Sequence, residues 1–404
     1  MSKQSALNRR DFLRRGAAAA AAAVAFPTII PASALGDDGK PAPSNRIVMG
    51  CIGVGGQGGS NMGNFLGQPS CQVVAIADVD KNNANSNRDR VNNQYKNKDC
   101  KAYYDFRELC ARDDIDAVMM ATPDHWHAVV ALTAVRSGKD VYGEKPFTHD
   151  LREGRALANA VQQYGRVWQT GSWQRRGGGS EQFVAPPPNL DYDFWVGPSP
   201  WAPYSKDRTH WNWRWQLDYG GGQMMDWIGH HGDIAQWGLG TEYTGPIEIE
   251  GKAEFPTKGL WNAPTSYKAF AKFANGVTMI IANDQQTSKG MGAKWIGDKG
   301  WVWVDRGGFD AEPKSLLKEV IRPDEINLYR SKDHWGNFLE CVKSRRLTIT
   351  PAEVAHRSAS LGHLAMVAIL VGRKIKFDPD KEEIIGDPTA NALLGRAKRE
   401  PWRL

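Results

Sequence analysis

The sequence predicts an α/β protein whose first half is a doubly wound, parallel sheet. Three observations predict it. The strand-like run 46–52 leads directly into Gly53-Val54-Gly55-Gly56-Gln57-Gly58, followed by a plausible helix. A second apolar run, 73–77, ends at Asp78, about 20 residues past the last glycine. Beyond it, helix-like and strand-like segments alternate up to Thr170.

Taken in order, residues 105–112 read as a short helix and 115–121 as a buried strand. Thr122-Pro123-Asp124-His125-Trp126-His127 opens the next helix, with Asp124 placed to cap it. Residues 140–142 form a short strand ending at Glu144-Lys145-Pro146, then 151–164 are helical and 167–170 extended. Later strands are expected at 246–255, 267–273, 277–282 and 301–305, and helices at 335–342 and 352–371.

The 404 residues suffice for two domains. The predicted division is a leader (1–34), a linker (35–45), a nucleotide-binding domain (46–170), a substrate domain (171–345) and a C-terminal helical segment with its tail (346–404). A net charge of +6 with no basic stripe excludes a nucleic-acid binder. Five cysteines (Cys51, Cys71, Cys100, Cys110, Cys341) lack disulfide-scaffold or zinc spacing. In the leader, Asn8-Arg9-Arg10-Asp11-Phe12-Leu13-Arg14 is similar to a twin-arginine export signal. An alanine-rich run and Ala32-Ser33-Ala34 follow it, so the expectation is an exported, periplasmic protein without a membrane span.

The glycine run has a physical reading. Gly53 permits a tight turn, Gly55 and Gly56 let backbone approach a pyrophosphate, and Gly58 lets helix and strand pack closely. Asp78 is placed to accept from an adenosine ribose 2′-OH and to repel a 2′-phosphate, which favours NAD over NADP.

With Asp78, Thr122-Pro123-Asp124-His125-Trp126-His127, Glu144-Lys145-Pro146 and the run from Gly220 to Trp237, this glycine turn resembles the Gfo/Idh/MocA oxidoreductases. The tail motifs, His334-Trp335-Gly336-Asn337-Phe338 and Arg399-Glu400-Pro401-Trp402, are similar to an exported subgroup. The resemblance implies a Rossmann domain followed by an α/β domain with a large, open, mostly antiparallel sheet used in homo-oligomers. It also implies a nicotinamide cofactor faced by Thr122, Pro123, Asp124, His127, Glu144 and Lys145, and a sugar or polyol substrate. His127 is equally readable as the opening of a helix.

Lys145 lies past a strand's carboxyl end, where such sheets place ligands, and can polarise a hydroxyl under oxidation. Asp226 and His230, four apart, share a helix face; the histidine suits a general base and the aspartate an orienting group. His231 and Asp233 extend the cluster, but adjacent histidines point to different faces, so a metal is not expected. Trp173, Gln174 and Arg175 are placed at the substrate's border. Trp213 and Arg214, in the aromatic stretch Trp211 to Trp215 whose other tryptophans read as core, and His231 are further substrate candidates.

One departure stands out. Where the family carries a helix and a long strand, this chain has Arg176-Gly177-Gly178-Gly179-Ser180, the composition of a flexible linker. Either the lineage lost the segment or a deletion was bridged by a linker; the composition favours the second. A missing strand exposes a sheet edge and puts the expected homo-oligomer in doubt. Three functions remain open: hydride transfer to or from a sugar, glycoside cleavage through a transient keto-sugar with recycled NAD, and sugar binding without turnover.

Overall fold

A computed structural model describes residues 41–171, 182–283 and 290–404. The leader, Trp173, Gln174, Arg175 and the Arg176–Ser180 linker lie outside the described residues.

Strands β1 (Ile47–Ile52), β2 (Cys71–Ala77), β3 (Lys101–Tyr103), β4 (Ala117–Met120), β5 (Asp140–Glu144) and β6 (Trp168–Gly171) form one sheet in the order β3-β2-β1-β4-β5-β6. Every pairing is parallel. Its connections include α1 (Gly56–Leu66), α2 (Lys81–Tyr95), α3 (Phe106–Cys110), α4 (Asp124–Arg136) and α5 (Leu151–Gln163). The order reverses between β1 and β4, and a ligand crevice opens at the carboxyl ends flanking such a reversal. β4 and β5 are buried along their whole length, as strands covered on both faces must be.

The second half opens with α6 (Tyr192–Val196), α7 (Gly222–Trp227), a π-helical turn (Ile228–Gly232) and α8 (Asp233–Leu239). Strands β7 (Glu248–Glu254), β8 (Ser266–Lys272), β9 (Thr278–Ala282), β10 (Ala293–Gly297), β11 (Gly300–Val304) and β12 (Phe309–Glu312) follow. The chain ends through α9 (His334–Ser344), α10 (Ala352–Val371), β13 (Ile375–Asp378), β14 (Glu383–Ile384) and α11 (Pro388–Ala392). The fold class is therefore as the sequence predicts, but the antiparallel strands divide into two sheets, β14-β13-β7-β8-β9 and β10-β11-β12. The larger sheet buries its alternate residues Ile249, Tyr267, Ala269 and Ala271 in one core with α10. The smaller one docks elsewhere. Trp295 of β10 lies over Gly238 of α8, and its indole N–H donates to the Ala235 carbonyl at 3.2 Å.

α10 is the one helix among the described residues long and apolar enough to cross a membrane; it is mostly buried within the fold. All five cysteines are free and buried. Helix α9 sits inside the boundary predicted for the substrate domain, yet Phe338, Leu339, Cys341 and Val342 pack into the core of the parallel sheet. Phe65 of α1 marks the joint, meeting Tyr142 of β5 edge-on at 5.2 Å and Phe338 at 6.1 Å. Phe65 is fully buried, so Phe65→Ala is expected to cost about 3–5 kcal/mol, read as a lower urea midpoint at unchanged slope.

Candidate active site

The glycine turn is built as its spacing implies. Gly53 has φ +71°, where an added Cβ would meet the Ala121 carbonyl oxygen at 2.9 Å. At Gly58 a Cβ would lie 1.8 Å from the Gly53 carbonyl oxygen. The turn delivers the chain into α1, which starts without any side-chain cap, so its first N–H groups point outward with the positive end of the helix dipole. This fits an anionic pyrophosphate.

In front of the turn is a cavity of about 370 Å³. Its lining includes Gly53, Gly55, Gly56, Asp78, Thr122, Pro123, Glu144 and Lys145, together with Trp213 and Arg214. Gly58, Asp124 and His127 do not line it. Gly58 acts behind the turn, through close packing alone.

Asp78 is more occupied than its spacing suggests. One carboxylate oxygen accepts from the Val54 N–H and the other from the Asp80 N–H, each at 2.9 Å. It braces the glycine turn while facing the cavity. Burial pushes its pKa up to about 6, against the lowering effect of those N–H groups.

Two expectations around α4 are corrected. Asp124 does not cap the helix; the cap position is Pro123 and Asp124 is the first helical residue. Its carboxyl is buried, one oxygen lacks a hydrogen-bond partner, and burial drives it strongly toward the neutral form. His127, expected at the nicotinamide or the substrate, is not among the cavity's lining residues. Its Nδ1 lies 2.6 Å from the Pro146 carbonyl oxygen and its Nε2 2.9 Å from that of Thr122, so the ring bridges the ends of β4 and β5. Burial lowers its pKa to about 4.

Lys145 is 5% exposed, and its ammonium pairs with Asp226 Oδ1 at 2.5 Å. The backbone of the π turn rests on it: a Cβ on Gly229 would meet Lys145 Cβ at 3.1 Å. Asp226 therefore anchors the lysine. α7 reaches this place through Gly222, at φ +64°, where a Cβ would strike Ala263 Cβ at 2.7 Å.

His230 sits in the π turn, where the extra residue per turn breaks the simple four-residue facing. Its imidazole is buried near Lys145, and the Arg306 guanidinium lies 3.4 Å from each ring nitrogen. It does not line the cavity as Lys145 does. Burial, then Lys145, Arg306 and His231, hold its pKa well below the ordinary histidine value, so it is unprotonated at neutral pH.

His231, a substrate candidate, stacks on Trp227 at 4.8 Å and does not line this cavity. Among the described residues no three His, Cys, Asp or Glu side chains converge as metal ligands.

Sequence reasoning missed several participants. Asn61 of α1 donates to Glu144 Oε1 at 2.7 Å, Arg306 arrives from the β11–β12 turn, and Leu190, Phe194 and Trp195 wall the cavity. Each comes from a distant segment with no local motif. His210, at the cavity rim with φ +52°, offered no signal either, since backbone strain is invisible in a sequence.

Residues 47–172 match the oxidoreductase family's NAD-binding Rossmann fold (GFO_IDH_MocA), and residues 157–404 match its C-terminal alpha/beta domain. The chain belongs to the Gfo/Idh/MocA family. A glycosyl hydrolase family 109 protein of Shewanella baltica is 31% identical over 163 residues, covering 36% of this chain and 35% of the relative. An inositol 2-dehydrogenase of Rubrobacter xylanophilus is 31% identical over 124 residues, 30% of this chain and 34% of that protein. The alignments thus span about a third of these relatives' length. Among solved structures, the WlbA dehydrogenase of Bordetella pertussis, in complex with NADH and UDP-GlcNAcA, superposes with a TM-score of 0.59. It shares 16% identity across 82% of this chain and 99% of that one, a likeness of fold.

Two predictions follow from this geometry. Gly58→Ala is expected to abolish NAD binding, measured by calorimetry, because a methyl group cannot fit 1.8 Å from a carbonyl oxygen. His127 stays neutral in the fold down to about pH 4 while the unfolded chain's histidine protonates near 6.5. Its stability contribution is thus complete above 6.5 and lost as pH falls toward 4. His127→Gln is expected to flatten the urea midpoint's pH dependence across that window, by about 1.4 kcal/mol per pH unit.

Proposed function

We propose that this chain is an NAD-dependent oxidoreductase that moves a hydride to or from a hydroxyl-bearing carbon of a sugar or polyol. The observation that carries the reading is Lys145. It lines the same cavity as the glycine turn, is tied to Asp226 at 2.5 Å, and lies within electrostatic reach of the unprotonated His230, which does not itself line the cavity. When bound, the nicotinamide ring supplies the hydride acceptor. Lys145 donates to the substrate oxygen and stabilises charge developing there. His230 takes the hydroxyl proton, for which its neutral state is required. Asp226 fixes the ammonium in place. The carboxylate of Asp78 favours NAD over NADP.

The neighbours agree with this reading. The family's first domain is described as NAD-binding, one fold relative holds NADH with a sugar nucleotide, and one sequence relative is an inositol dehydrogenase. The glycosyl hydrolase family 109 relatives support a second reading, glycoside cleavage through a transiently oxidised sugar. Aglycone release with no added acceptor and no net NADH would select it. The twin-arginine-like leader makes export to the periplasm part of the proposal.

A panel of sugars and polyols deuterated at the carbinol carbons tests the main reading, with deuterium appearance on NAD followed by NMR. Lys145→Met and His230→Asn are each expected to lower kcat by about 10²–10⁴-fold while leaving NAD binding intact. Wild-type turnover in Lys145→Met would remove the basis of the proposal.

A further inference from the structure

Arg214 lies in the short 3-10 turn Asn212–Trp215 and lines the cavity with its side chain 12% exposed. Its guanidinium is clamped between two indoles, with Cζ 4.2 Å from the Trp211 ring centroid and 4.4 Å from that of Trp213. Such stacking fixes the plane of the fork and leaves its N–H edge as the polar surface. One edge nitrogen donates to the Trp211 carbonyl at 3.2 Å. Nε has no hydrogen-bond partner among the described residues.

Its charge is met only through a shared partner and at a distance. Among the described residues Arg214 has one carboxylate within 4 Å, Asp226, whose Oδ1 is 3.5 Å from Nε. That same oxygen already holds the Lys145 ammonium at 2.5 Å. Two cations share one oxygen, and the second stands beyond hydrogen-bond length. Of the other nearby carboxyls, burial drives Asp124 toward its acid form, and Glu144, whose charge acts on both Lys145 and Arg214, takes its close hydrogen bond from Asn61 rather than from the guanidinium. A largely buried guanidinium with no carboxylate hydrogen-bonded to it is better accommodated when a ligand brings one.

We infer that Arg214 is a receptor for an anionic group, foremost a carboxylate, carried by the substrate, so that the sugars accepted here are acidic. The inference rests on the reading of this cavity as a sugar site. The cofactor's pyrophosphate is the other possible source of an anion. Its place is at the start of α1, whereas Arg214 shares a carboxylate oxygen with Lys145 and so belongs to the reacting end. The fork geometry suits a carboxylate bound through two N–H groups, and the flanking indoles suit the C–H face of the attached ring.

The test is calorimetry on the full chain, with and without NAD, using matched pairs of neutral and acidic sugars: glucose and glucuronate, galactose and galacturonate, mannose and mannuronate. In at least one pair the acid is expected to bind about tenfold tighter or more, as a hydrogen-bonded charge pair supplies. Arg214→Met should erase that ratio, and Arg214→Lys, which keeps charge but not the fork, should retain part of it. Thermal melts and NAD affinity of both variants report on folding. No preference for the acid in any pair, or a preference that survives Arg214→Met, overturns the inference. Loss of NAD affinity in Arg214→Met with the acid preference unchanged assigns the anion to the cofactor and also overturns it. A wild-type chain that binds acids selectively but no NAD sinks the hydride-transfer reading and leaves the anion receptor standing.

Discussion

The ion pair between Lys145 and Asp226 is the contact on which the site depends. Its partners come from opposite halves of the chain, the end of β5 and helix α7, and both side chains are almost wholly buried. Removing Asp226 would leave the buried Lys145 ammonium without its ion-pair partner, an imbalance worth about 3–5 kcal/mol. The surrounding backbone is shaped to permit the pair. The Lys145 N–H donates to the Gly171 carbonyl at 3.0 Å, continuing the β5–β6 ladder past the strand end. Opposite it, Gly229 lets the π turn approach, and the turn beginning at Gly222 sets the direction of α7.

The cavity is closed by segments the parallel sheet does not supply. Leu190 bridges to Asp80, flanked by the Lys81 N–H to Asn189 and the Asp191 N–H to Val79, so a strand-like stretch lies across the loop after β2. The C-terminal tail supports this wall from behind. Trp402 packs edge-on against Trp126 at 4.6 Å and against Phe194 at 5.4 Å, while Arg399 holds the Gly197 carbonyl and Asp193. Trp126 and Phe194 themselves line the cavity, so the last residues of the chain help set its shape.

Local rules carried the first half of the sequence far. The glycine turn, Asp78 and the βα alternation depend on residues close in sequence, and spacing alone conveys them. α10 was legible to the residue because its apolar run begins after Pro351 and stops at Gly372, which has φ +66°. What stayed hidden is set by contacts across the chain. The helical reading of Asp226 and His230 could not anticipate a π turn, because a one-residue insertion changes geometry without changing composition. The antiparallel strands split into two sheets, and the smaller one meets α8 through Trp295, a contact no local pattern announces. His127 carries the residue type of a ligand contact, yet its two ring nitrogens lie against backbone carbonyls rather than the cavity.

Burial also decides which of the many ionisable groups near Lys145 carry charge. Desolvation penalises every isolated ion, so Asp124 is driven toward its acid form and His127 and His230 toward their neutral bases. Lys145 and Asp226 are joined in an ion pair. Arg214 cannot escape by losing a proton, since a guanidinium keeps its charge at any pH a protein survives. It is therefore the group whose charge the fold must accommodate rather than remove, and two indole faces supply part of that accommodation. The remainder is open toward the cavity, which makes the sign of the ligand, more than its size, the property this end of the site selects.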